Sequence, residues 1–466
     1  MKKSYENDLQ RIACAVWDNP EPGFAEFTSS RIQTEFLKKQ GFEVKENVCD
    51  TITGYTASYG SGHPIIAILG EFDALYGLGQ KEDIPEYTPN GKAMGHGCGH
   101  HLLGTGAIGA GLLIRDYLKE TGKEGTVIVM GCPAEEAGSG KTYMARDGLF
   151  DDVDIALTWH PGSRHQVNTG SSQSNINAFF RFHGKAAHAA GDPENGRSAL
   201  DAVELMDIGA NYLREHMPST DRVHYAITNP GGKSPNVVQA EAEVNYFVRS
   251  TTNKGCRELY ERVCNLARGA AIMTDTTVDI VFDEGLSNTV PNFVLEDLYD
   301  ACFREIGVPS YTEEELAYAA AFKKAGAPFQ QSDIEAYIKD KEKLKQCMLE
   351  EPLCTYYVEN EHSDVCEMGS TDVGDVSWVV PTATINTACW SWGTPGHSWQ
   401  LTAQGKSSIA MKGMYLAADI MALAAEKIYE DHSIIQKAWN ELNKRTQEEA
   451  YQCLIPKDIK PHVCGE

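Results

Sequence analysis

Residues 94–109, MGHGCGHHLLGTGAIG, bring three histidines and one cysteine together just before a glycine-rich apolar run. Only one glycine separates Cys98 from His100, so a tight loop can direct a thiolate and an imidazole to one point, as a Zn²⁺-type ion prefers. The alternative interpretation is that these histidines and small residues only fill a tight loop under a helix. The rest of the chain has to decide between a metal site and a packed loop.

The same stretch contains Gly104, Gly106 and Gly109, which match the G-x-G-x-x-G fingerprint of dinucleotide-binding proteins. That fingerprint requires an apolar strand that runs directly into the first glycine. Here Gly104 follows Cys-Gly-His-His-Leu-Leu instead. We therefore do not expect a nicotinamide or flavin cofactor, and a dinucleotide-dependent oxidoreductase is kept only as a rival from another class.

The composition is that of a globular protein long enough for two compact units. Its 41 lysines and arginines against 66 aspartates and glutamates give a net charge of −25, which disfavours a nucleic acid or an anionic membrane as partner. No stretch has the length and apolarity of a membrane span or the pattern of a secretory signal. The 13 cysteines show no repeating spacing, so they predict no disulfide framework, and we expect a cytoplasmic protein.

Three short apolar runs, over residues 64–69, 125–130 and 153–159, predict buried strands. A helix predicted over 102–118 separates the first two, and this strand–helix–strand order is typical of a parallel sheet. The runs lead into side chains that can bind a metal ion, namely Asp73, Glu135, Glu136 and His160. Open α/β sheets bind their ligands at the carboxyl ends of the strands, so we expect these groups to meet.

Glu135 and Glu136 follow Pro133-Ala134 at the second of these strand ends. Two adjacent carboxylates are costly to bury unless a positive group lies between them, and a metal ion is such a group. Adjacent side chains diverge, so one glutamate can bind the metal while the other moves a proton. A solvated acidic loop is the alternative interpretation.

The pattern changes near Ser172, where residues 174–287 predict a strand, a helix, two strands, a helix and a strand. This is the order of a small ferredoxin-like α+β unit. We therefore predict an inserted domain at 174–287, between a first catalytic part at 1–173 and a second catalytic part at 288–466.

The second catalytic part opens with a predicted helix and a charged stretch, residues 313–361, for which we predict surface helices and no chemistry. A polar cluster at 369–377 follows. A turn-rich loop at 393–399 then presents His397, and a last helix is predicted over 407–429.

Together these motifs resemble the M20 metallopeptidase/amidohydrolase family, in its N-acyl-amino-acid amidohydrolase branch, and the resemblance covers nearly the whole chain. The residues that carry it are Cys98-Gly-His100, Pro133-Ala-Glu135-Glu136, His160-Pro161, His188-Ala-Ala, Asn236-Val-Val, Arg249, Gly369-Ser-Thr-Asp372 and His397. The resemblance implies an α/β protein with a zinc-peptidase-type catalytic domain, a mostly parallel central sheet and an inserted ferredoxin-like dimerisation or lid domain.

The resemblance also implies roles for single residues. Two divalent metal ions, Zn or Mn, would be held by Cys98, His100, Glu136, His160 and His397, with Glu136 at the bridge. Glu135 would be the general base. His188 would reach into the partner subunit's site to hold the reacting carbonyl oxygen, and Asn236 and Arg249 would help to bind the substrate.

Two positions depart from the family pattern. His101 stands where relatives usually have Asp or Asn, so the group that orients His100 is left open and His101 is itself a spare candidate ligand. Glu71-Phe-Asp73 replaces a more usual Arg-x-Asp pattern, and its role is left open.

The implied activity is metal-dependent hydrolysis of the amide bond of an N-acyl, and in particular an N-aroyl, amino acid such as p-aminobenzoyl-glutamate. A dipeptide or an indole-acyl amino acid is the alternative substrate, and a catalytically silent metal-binding subunit is a further rival. We expect a homodimer formed through the inserted domain, or an assembly with a homologous second subunit. Four tryptophans near the ligands offer a flat wall for an aroyl group or simply fill the core: Trp159, Trp390, Trp392 and Trp399.

Overall fold

The computed structural model describes residues 1, 3–328, 334 and 337–463. Its helices are α1 Lys3–Trp17, α2 Phe27–Lys39, α3 His100–Thr121, α4 Gly140–Arg146, α5 Ala199–Leu213, α6 Asn253–Thr274, α7 Phe293–Ile306, α8 Glu313–Ala325, α9 Lys341–Glu350, α10 Val373–Val379, α11 Trp399–Gln404, α12 Ser408–Glu430 and α13 Ser433–Thr446. Its strands are β1 Glu43–Glu46, β2 Tyr55–Ser61, β3 Ile65–Glu71, β4 Leu75–Tyr76, β5 Met94–Gly95, β6 Gly125–Cys132, β7 Ile155–Gly162, β8 Gln166–Val167, β9 Ser171–Ser172, β10 Ser174–His183, β11 Arg222–Asn229, β12 Glu241–Ser250, β13 Thr277–Leu286, β14 Cys366–Glu367 and β15 Thr382–Ala388.

The main sheet has seven strands in the order β1-β2-β6-β3-β7-β15-β8. The four central strands, β6, β3, β7 and β15, are parallel to one another. Strands β2 and β8 run antiparallel to them, and β1 pairs antiparallel with β2. The sheet is therefore mixed, and the predicted parallel order holds for its centre. Because the central strands are parallel, their carboxyl ends lie along one edge of the sheet, and the candidate site lies there.

Helix α3 lies unusually close to this sheet, and its glycines allow it to do so. A Cβ on Gly104 would lie 2.6 Å from the carbonyl oxygen of Glu71, and one on Gly106 would lie 2.7 Å from the indole ring of Trp159. Real Cβ atoms do not approach other atoms so closely, so these positions require glycine. The G-x-G-x-x-G match thus lies inside α3, where Gly104 and Gly106 pack on the sheet and Gly109 packs against Ala418 of α12 and Leu9 of α1.

A second sheet, in the order β11-β12-β10-β13, is entirely antiparallel. Its elements follow one another as β10, α5, β11, β12, α6 and β13. Side chains such as Phe180, Tyr246 and Val263 form a core between one face of the sheet and the two helices.

The charged stretch 313–361 contains α8 and α9, and its residues 329–333, 335 and 336 lie outside the described part of the chain. The predicted surface helices are present, but each also buries one side. Ala319, Leu344 and Met348 belong to an apolar cluster that includes Trp392 of the main body. The segment is thus packed onto the catalytic part.

Helix α12 is long and apolar enough to cross a membrane by length and composition alone, but 72% of its most apolar 18-residue window is buried inside the protein. It packs against α3 and α7 as a core helix. The sequence analysis took it as the last helix, which is wrong, because α13 follows at Ser433–Thr446. Ala438 and Leu442 of α13 are buried, and Ile434 and Ile435 pack against the core.

Candidate metal centre

The candidate site lies in a cleft of about 880 Å³ between the carboxyl edge of the main sheet and the second sheet. The floor includes Cys98, Glu135, Glu136, His160 and His397, and the facing wall includes Arg249 of β12. Strand β7 continues to Gly162, so His160 lies within the strand and not just after it. The predicted metal ligands thus come together from separate loops and strands.

The loop before α3 delivers Cys98 and His100 to this floor. Gly99 between them has φ +84°, in the left-handed region, and a Cβ there would lie 2.8 Å from Cγ of Pro161. The single glycine of Cys98-Gly-His100 is therefore required both for the backbone conformation and for the close approach.

Asp73 fixes the orientation of His100. The Oδ1 atom of Asp73 lies 2.7 Å from Nδ1 of His100, and its Oδ2 atom accepts a hydrogen bond of 2.9 Å from the backbone N–H of Glu136. This leaves Nε2 of His100 directed at the cleft, 3.2 Å from Oε2 of Glu71. One carboxylate thereby holds two of the candidate ligand segments in place, as is usual for histidines that bind metals.

Three groups of donor atoms, the atoms of each lying within 4.8 Å of one another, could hold metal ions. They are Cys98, His100 and His160; Cys98, Glu136 and His397; and Glu71, His100 and Glu135. Sγ of Cys98 is 3.5 Å from Nε2 of His160, and Nε2 of His397 is 3.3 Å from Oε2 of Glu136. Donors at zinc-ligand distances of about 2.0–2.3 Å in a tetrahedron are separated by about 3.3–3.6 Å, so both pairs fit. The first two groups together contain the five predicted ligands and have Cys98 in common.

Three of the buried polar atoms in the described part of the site have no hydrogen-bond partner, which also fits a metal ion. Among the described residues, His100 Nε2, Glu136 Oε1 and Glu71 Oε2 are buried and have no hydrogen-bond partner. Buried polar atoms without partners are rare in folded proteins, and a metal ion would satisfy these three. A thiolate with several imidazoles is a donor set that suits zinc.

Glu135 and Glu136 are separated from the strand before them by a strained turn. Ala134 has φ +57°, and its N–H donates a 2.9 Å hydrogen bond to the buried carboxyl of Glu26. Oε1 of Glu136 lies 3.8 Å from Nε2 of His100, and Oε2 of Glu135 lies 4.0 Å from it. Burial, together with the carboxylates of Glu71 and Glu136, raises the pKa of Glu135 well above its ordinary value, so its carboxylate readily takes up a proton.

Lys141 is a buried part of the site that the sequence analysis missed. Its Nζ lies 2.7 Å from Oε1 of Glu71 and 2.5 Å from Oδ1 of Asp372, and the side chains of all three residues are at most 3% exposed. Although burial opposes it, Lys141 and His100 hold the pKa of Glu71 below its ordinary value. The pairing spans 231 residues between Lys141 and Asp372, so no local pattern could have indicated it.

His101 points away from the cleft. Its Nε2 lies 2.8 Å from the carbonyl oxygen of Gly405, and its ring packs 5.0 Å from that of His96. His101 is therefore a buried core histidine and not a spare metal ligand. Asp73 performs the orienting role that the sequence analysis left open.

His188 and Asn236 do not line the cleft of their own chain. Both are exposed, and the backbone N–H of Ala189 bonds to the carbonyl oxygen of Asn236 at 3.0 Å. Nδ1 of His188 accepts hydrogen bonds from the N–H groups of Ala190 and Gly191 at 3.2 and 3.0 Å. Arg249, by contrast, lines the cleft.

The tryptophans near the ligands are mostly core residues. Trp390 and Trp392 are buried and do not line the cleft, and Trp399 packs on Tyr87. Trp159 borders the cleft, but it is 1% exposed and its indole N–H donates to the carbonyl oxygen of Leu103. The interpretation as core packing is correct for Trp159, Trp390 and Trp392, whereas Trp399 is only partly buried.

The model of peptidase family M20/M25/M40 matches residues 67–427. The chain therefore belongs to this family, and with the donor set described above it is a metal-dependent hydrolase of amide bonds. The chain is 44% identical over 474 residues to the B subunit of p-aminobenzoyl-glutamate hydrolase from Escherichia coli (strain K12). This match covers 98% of this chain and 97% of that protein.

Two further similarities are informative. The chain is 29% identical over 240 residues to the A subunit of the same Escherichia coli hydrolase. This match covers 49% of this chain and 54% of that protein. It also matches the crystal structure of a dinuclear metal-binding M20 peptidase from Bacillus subtilis with a TM-score of 0.57 and 17% identity, over 92% of this chain and 99% of the other. The second match shows a shared fold.

Proposed function

We propose that the protein hydrolyses the amide bond of p-aminobenzoyl-glutamate or a closely similar N-aroyl amino acid, with two divalent metal ions at the described centre. The observation that carries this proposal is that the five predicted ligands come together, with the carboxylate of Glu135 beside them. Cys98, His100 and His160 lie at one position, and Glu136 and His397 lie with Cys98 at the other. The 44% identity to a hydrolase of that substrate over nearly the whole chain supports the choice of substrate.

The donor set favours zinc, with manganese as the alternative, because thiolate and imidazole are preferred zinc ligands. When bound, the ions would polarise the substrate carbonyl and make a water molecule acidic enough to be ionised near neutral pH. Cys98, His100, Glu136, His160 and His397 would hold them.

Glu135 is the proposed general base. Its carboxylate lies beside the predicted ligands but makes no short ion pair with a side chain of the described chain. The nearest such contact is the 4.0 Å between its Oε2 and Nε2 of His100. Its raised pKa lets the carboxylate take a proton from the attacking water and then deliver it to the leaving nitrogen.

The residues 174–287 are proposed as a ferredoxin-like dimerisation and lid domain. Strand β11 is an edge of the second sheet, and nearby apolar side chains are open to solvent, with Tyr212 74%, Ile227 44% and Val237 46% exposed. An exposed edge strand with apolar neighbours favours pairing with another chain. The proposed partner is a second copy of this chain, or a homologous chain similar to the A subunit of the Escherichia coli hydrolase.

In this assembly, His188 and Asn236 of each chain would lie at the cleft of the other chain. Because both lie outside the cleft of their own chain, the proposed donor to the reacting carbonyl oxygen is the partner subunit's His188. A cytoplasmic location is also proposed, since every cysteine in the described part of the chain is a free thiol.

The decisive experiment combines metal analysis with a substrate panel. The purified protein, loaded with Zn²⁺ or Mn²⁺, is assayed against p-aminobenzoyl-glutamate, an indole-acyl aspartate, hippurate and a dipeptide, and its metal content is measured by mass spectrometry. We expect two ions per chain and the highest kcat/KM for the aroyl-glutamate. Hydrolysis of the dipeptide or the indole conjugate in its place would reassign the substrate, and a metal-loaded protein that hydrolyses none of them would indicate a silent metal-binding subunit.

A further inference from the structure

One face of the second sheet forms a wall of the cleft. Along β12 the even-numbered residues 242–248 are buried in the core of the unit, so Phe247 and Arg249 lie on the opposite face. In the register of β11 with β12, Arg222 is directly opposite Arg249 and His224 is directly opposite Phe247. Directly opposite residues share a face of a sheet, and all four line the cleft.

Arg222 and Arg249 therefore place two guanidinium groups next to each other. Like charges directly opposite across a strand pair destabilise a sheet unless an anion lies between them. In the part of the chain that the structure describes, neither group forms an ion pair with a carboxylate. Nη1 of Arg249 donates to Oγ of Ser370 at 2.7 Å, and Nη1 of Arg222 donates to the carbonyl oxygens of Ser219 and Asp221.

Arg222 keeps donors for a ligand. A guanidinium has five N–H groups, and both hydrogen bonds of Arg222 use the same nitrogen. His224, two residues further along β11, is exposed to the cleft. Burial lowers the pKa of His224, and the nearby charges of Arg249, Arg214 and Arg222 lower it further.

Two carboxylates near the pair offset part of its charge without forming an ion pair with it. Glu284 of β13 lines the same cleft, but its Oε2 accepts a hydrogen bond of 2.9 Å from the N–H of Gly138 and its Oε1 accepts one of 3.2 Å from Asn175. Oδ1 of Asp221, next to Arg222, accepts one of 3.0 Å from Oγ of Ser250. Neither carboxylate makes the direct contact with a guanidinium that a substrate carboxylate could make.

We propose that Arg222 and His224 form a subsite for the side-chain carboxylate of the substrate, beside Arg249, which binds its α-carboxylate. The enzyme then selects N-acyl derivatives of dicarboxylic amino acids, glutamate or aspartate, and Arg222 determines that specificity. This inference rests on the proposed hydrolysis of N-acyl amino acids in the same cleft.

Two adjacent guanidiniums favour two carboxylates over one. Each guanidinium can bind one carboxylate with two parallel hydrogen bonds, and a second anionic group relieves the repulsion that a single anion would leave between the arginines. The cleft of about 880 Å³ is large enough for an aroyl dicarboxylic amino acid with its amide bond at the metal centre.

The test compares p-aminobenzoyl-glutamate with p-aminobenzoyl-glutamine, which has the same shape but a neutral side chain. Metal-loaded wild type, Arg222→Gln, Arg222→Lys and Arg181→Gln are assayed for kcat/KM. Arg181 is the matched control, because it lies on β10 of the same sheet, pairs with Glu243 and does not line the cleft. The melting temperature of each variant shows whether it is folded.

We expect the wild type to prefer the glutamate substrate by between about tenfold and a hundredfold, the range for a charged hydrogen bond. Arg222→Gln should abolish most of that preference by losing kcat/KM for the glutamate substrate alone. Arg222→Lys should keep part of it, and Arg181→Gln should keep all of it. A wild type that hydrolyses both substrates equally would overturn the subsite while leaving the proposed function intact, and so would an equal loss in Arg222→Gln and Arg181→Gln.

A binding arm separates the subsite from the hydrolysis. In a Glu135→Gln background, calorimetric titration with the same two compounds measures affinity without turnover. Preferential binding of the glutamate compound that is lost with Arg222→Gln supports the subsite even if the wild type hydrolyses neither compound. Equal affinity for both compounds would refute it independently of any activity.

Discussion

Asp73 and His100 form a buried pair in which Oδ1 of the aspartate lies 2.7 Å from Nδ1 of the imidazole, while the other oxygen of the same carboxylate holds the backbone of Glu136. The side chains of both residues are fully buried. One aspartate thereby sets the position of a candidate ligand at each metal position, since, of the two donor groups that share Cys98, one contains His100 and the other contains Glu136.

The first prediction tests this arrangement. Asp73→Asn should weaken metal binding by between about tenfold and a hundredfold, because the neutral amide holds and polarises the imidazole less well. Metal affinity is measured by competition with a chromophoric chelator. The matched control is Asp154→Asn, which removes the charge from a surface pair with His63 at 2.6 Å and should leave metal affinity unchanged. Equal affinities in wild type and Asp73→Asn would show that Asp73 does not orient a ligand.

The second prediction separates the adjacent glutamates. Glu135→Gln should keep metal content near that of the wild type and lower kcat by at least about a hundredfold, as expected for loss of a general base. Glu136→Gln should lose metal because it removes a ligand. Metal analysis and kinetics on the same samples check both, and metal loss in Glu135→Gln with retention in Glu136→Gln would exchange the two roles.

The third prediction concerns His188. His188→Ala should fold and bind metal like the wild type but be nearly inactive, since the side chain lies outside the cleft of its own chain. Mixing it with Glu135→Gln under subunit exchange should restore part of the activity, because a mixed dimer has one site with both wild-type residues. His183→Ala, in the same unit, is the control and should remain active. A mixture that stays inactive after exchange has been demonstrated would argue against a shared site.

The fourth prediction concerns the buried cation. Lys141→Met should lower the free energy of unfolding by about 3–5 kcal/mol, because it leaves the buried carboxylates of Glu71 and Asp372 without their partner. Denaturant unfolding measures this. Lys119→Met, at an exposed position of α3, should change stability by no more than about 0.5 kcal/mol. A Lys141→Met protein as stable as the Lys119→Met protein would mean that the buried network can do without its cation.

The fifth prediction concerns the α-carboxylate. Wild type should hydrolyse p-aminobenzoyl-glutamate much faster than its α-amide analogue, and Arg249→Ala should reduce that difference, because a charged hydrogen bond contributes about 1.5–3 kcal/mol. The comparison is made in kcat/KM. If the wild type cleaves the α-amide as fast as the free acid, recognition of the α-carboxylate is refuted whatever the acyl preference.

The sequence was informative where burial produces a strong pattern. The apolar runs of β3, β6 and β7 are largely buried and were recognised together with the side chains near their ends, among them Glu136 and His160. The full set of five ligands was assigned from the resemblance to a family. Strands β2 and β15 were missed, because their sequences YTASYGS and TATINTA carry many small and polar residues. Helix α13 was also missed, although Ile434, Ile435, Ala438 and Leu442 recur in it at helical spacing.

Relationships between distant residues were beyond the sequence. The pairing of Lys141 with Glu71 and Asp372, the direction of His101 and the sharing of Cys98 depend on how separate segments meet in space. The resemblance to a family indicated which residues matter, and its placement of Glu136 at the bridge stays a prediction. The alignment of Arg222 with Arg249 depends on strand register, which no residue pattern near Arg222 reveals.

The glycines of α3 have a consequence for how the protein acquires its metal. Each glycine weakens an isolated helix by about 1 kcal/mol relative to alanine, and α3 contains four between Gly104 and Gly111. The helix therefore gains its stability from docking on the sheet, and we expect that docking to order the Cys98-Gly-His100 loop at its start. In small zinc domains the ion drives folding. In this protein we expect the core to form without the ion, so that maturation of the enzyme is a loading step on a folded chain.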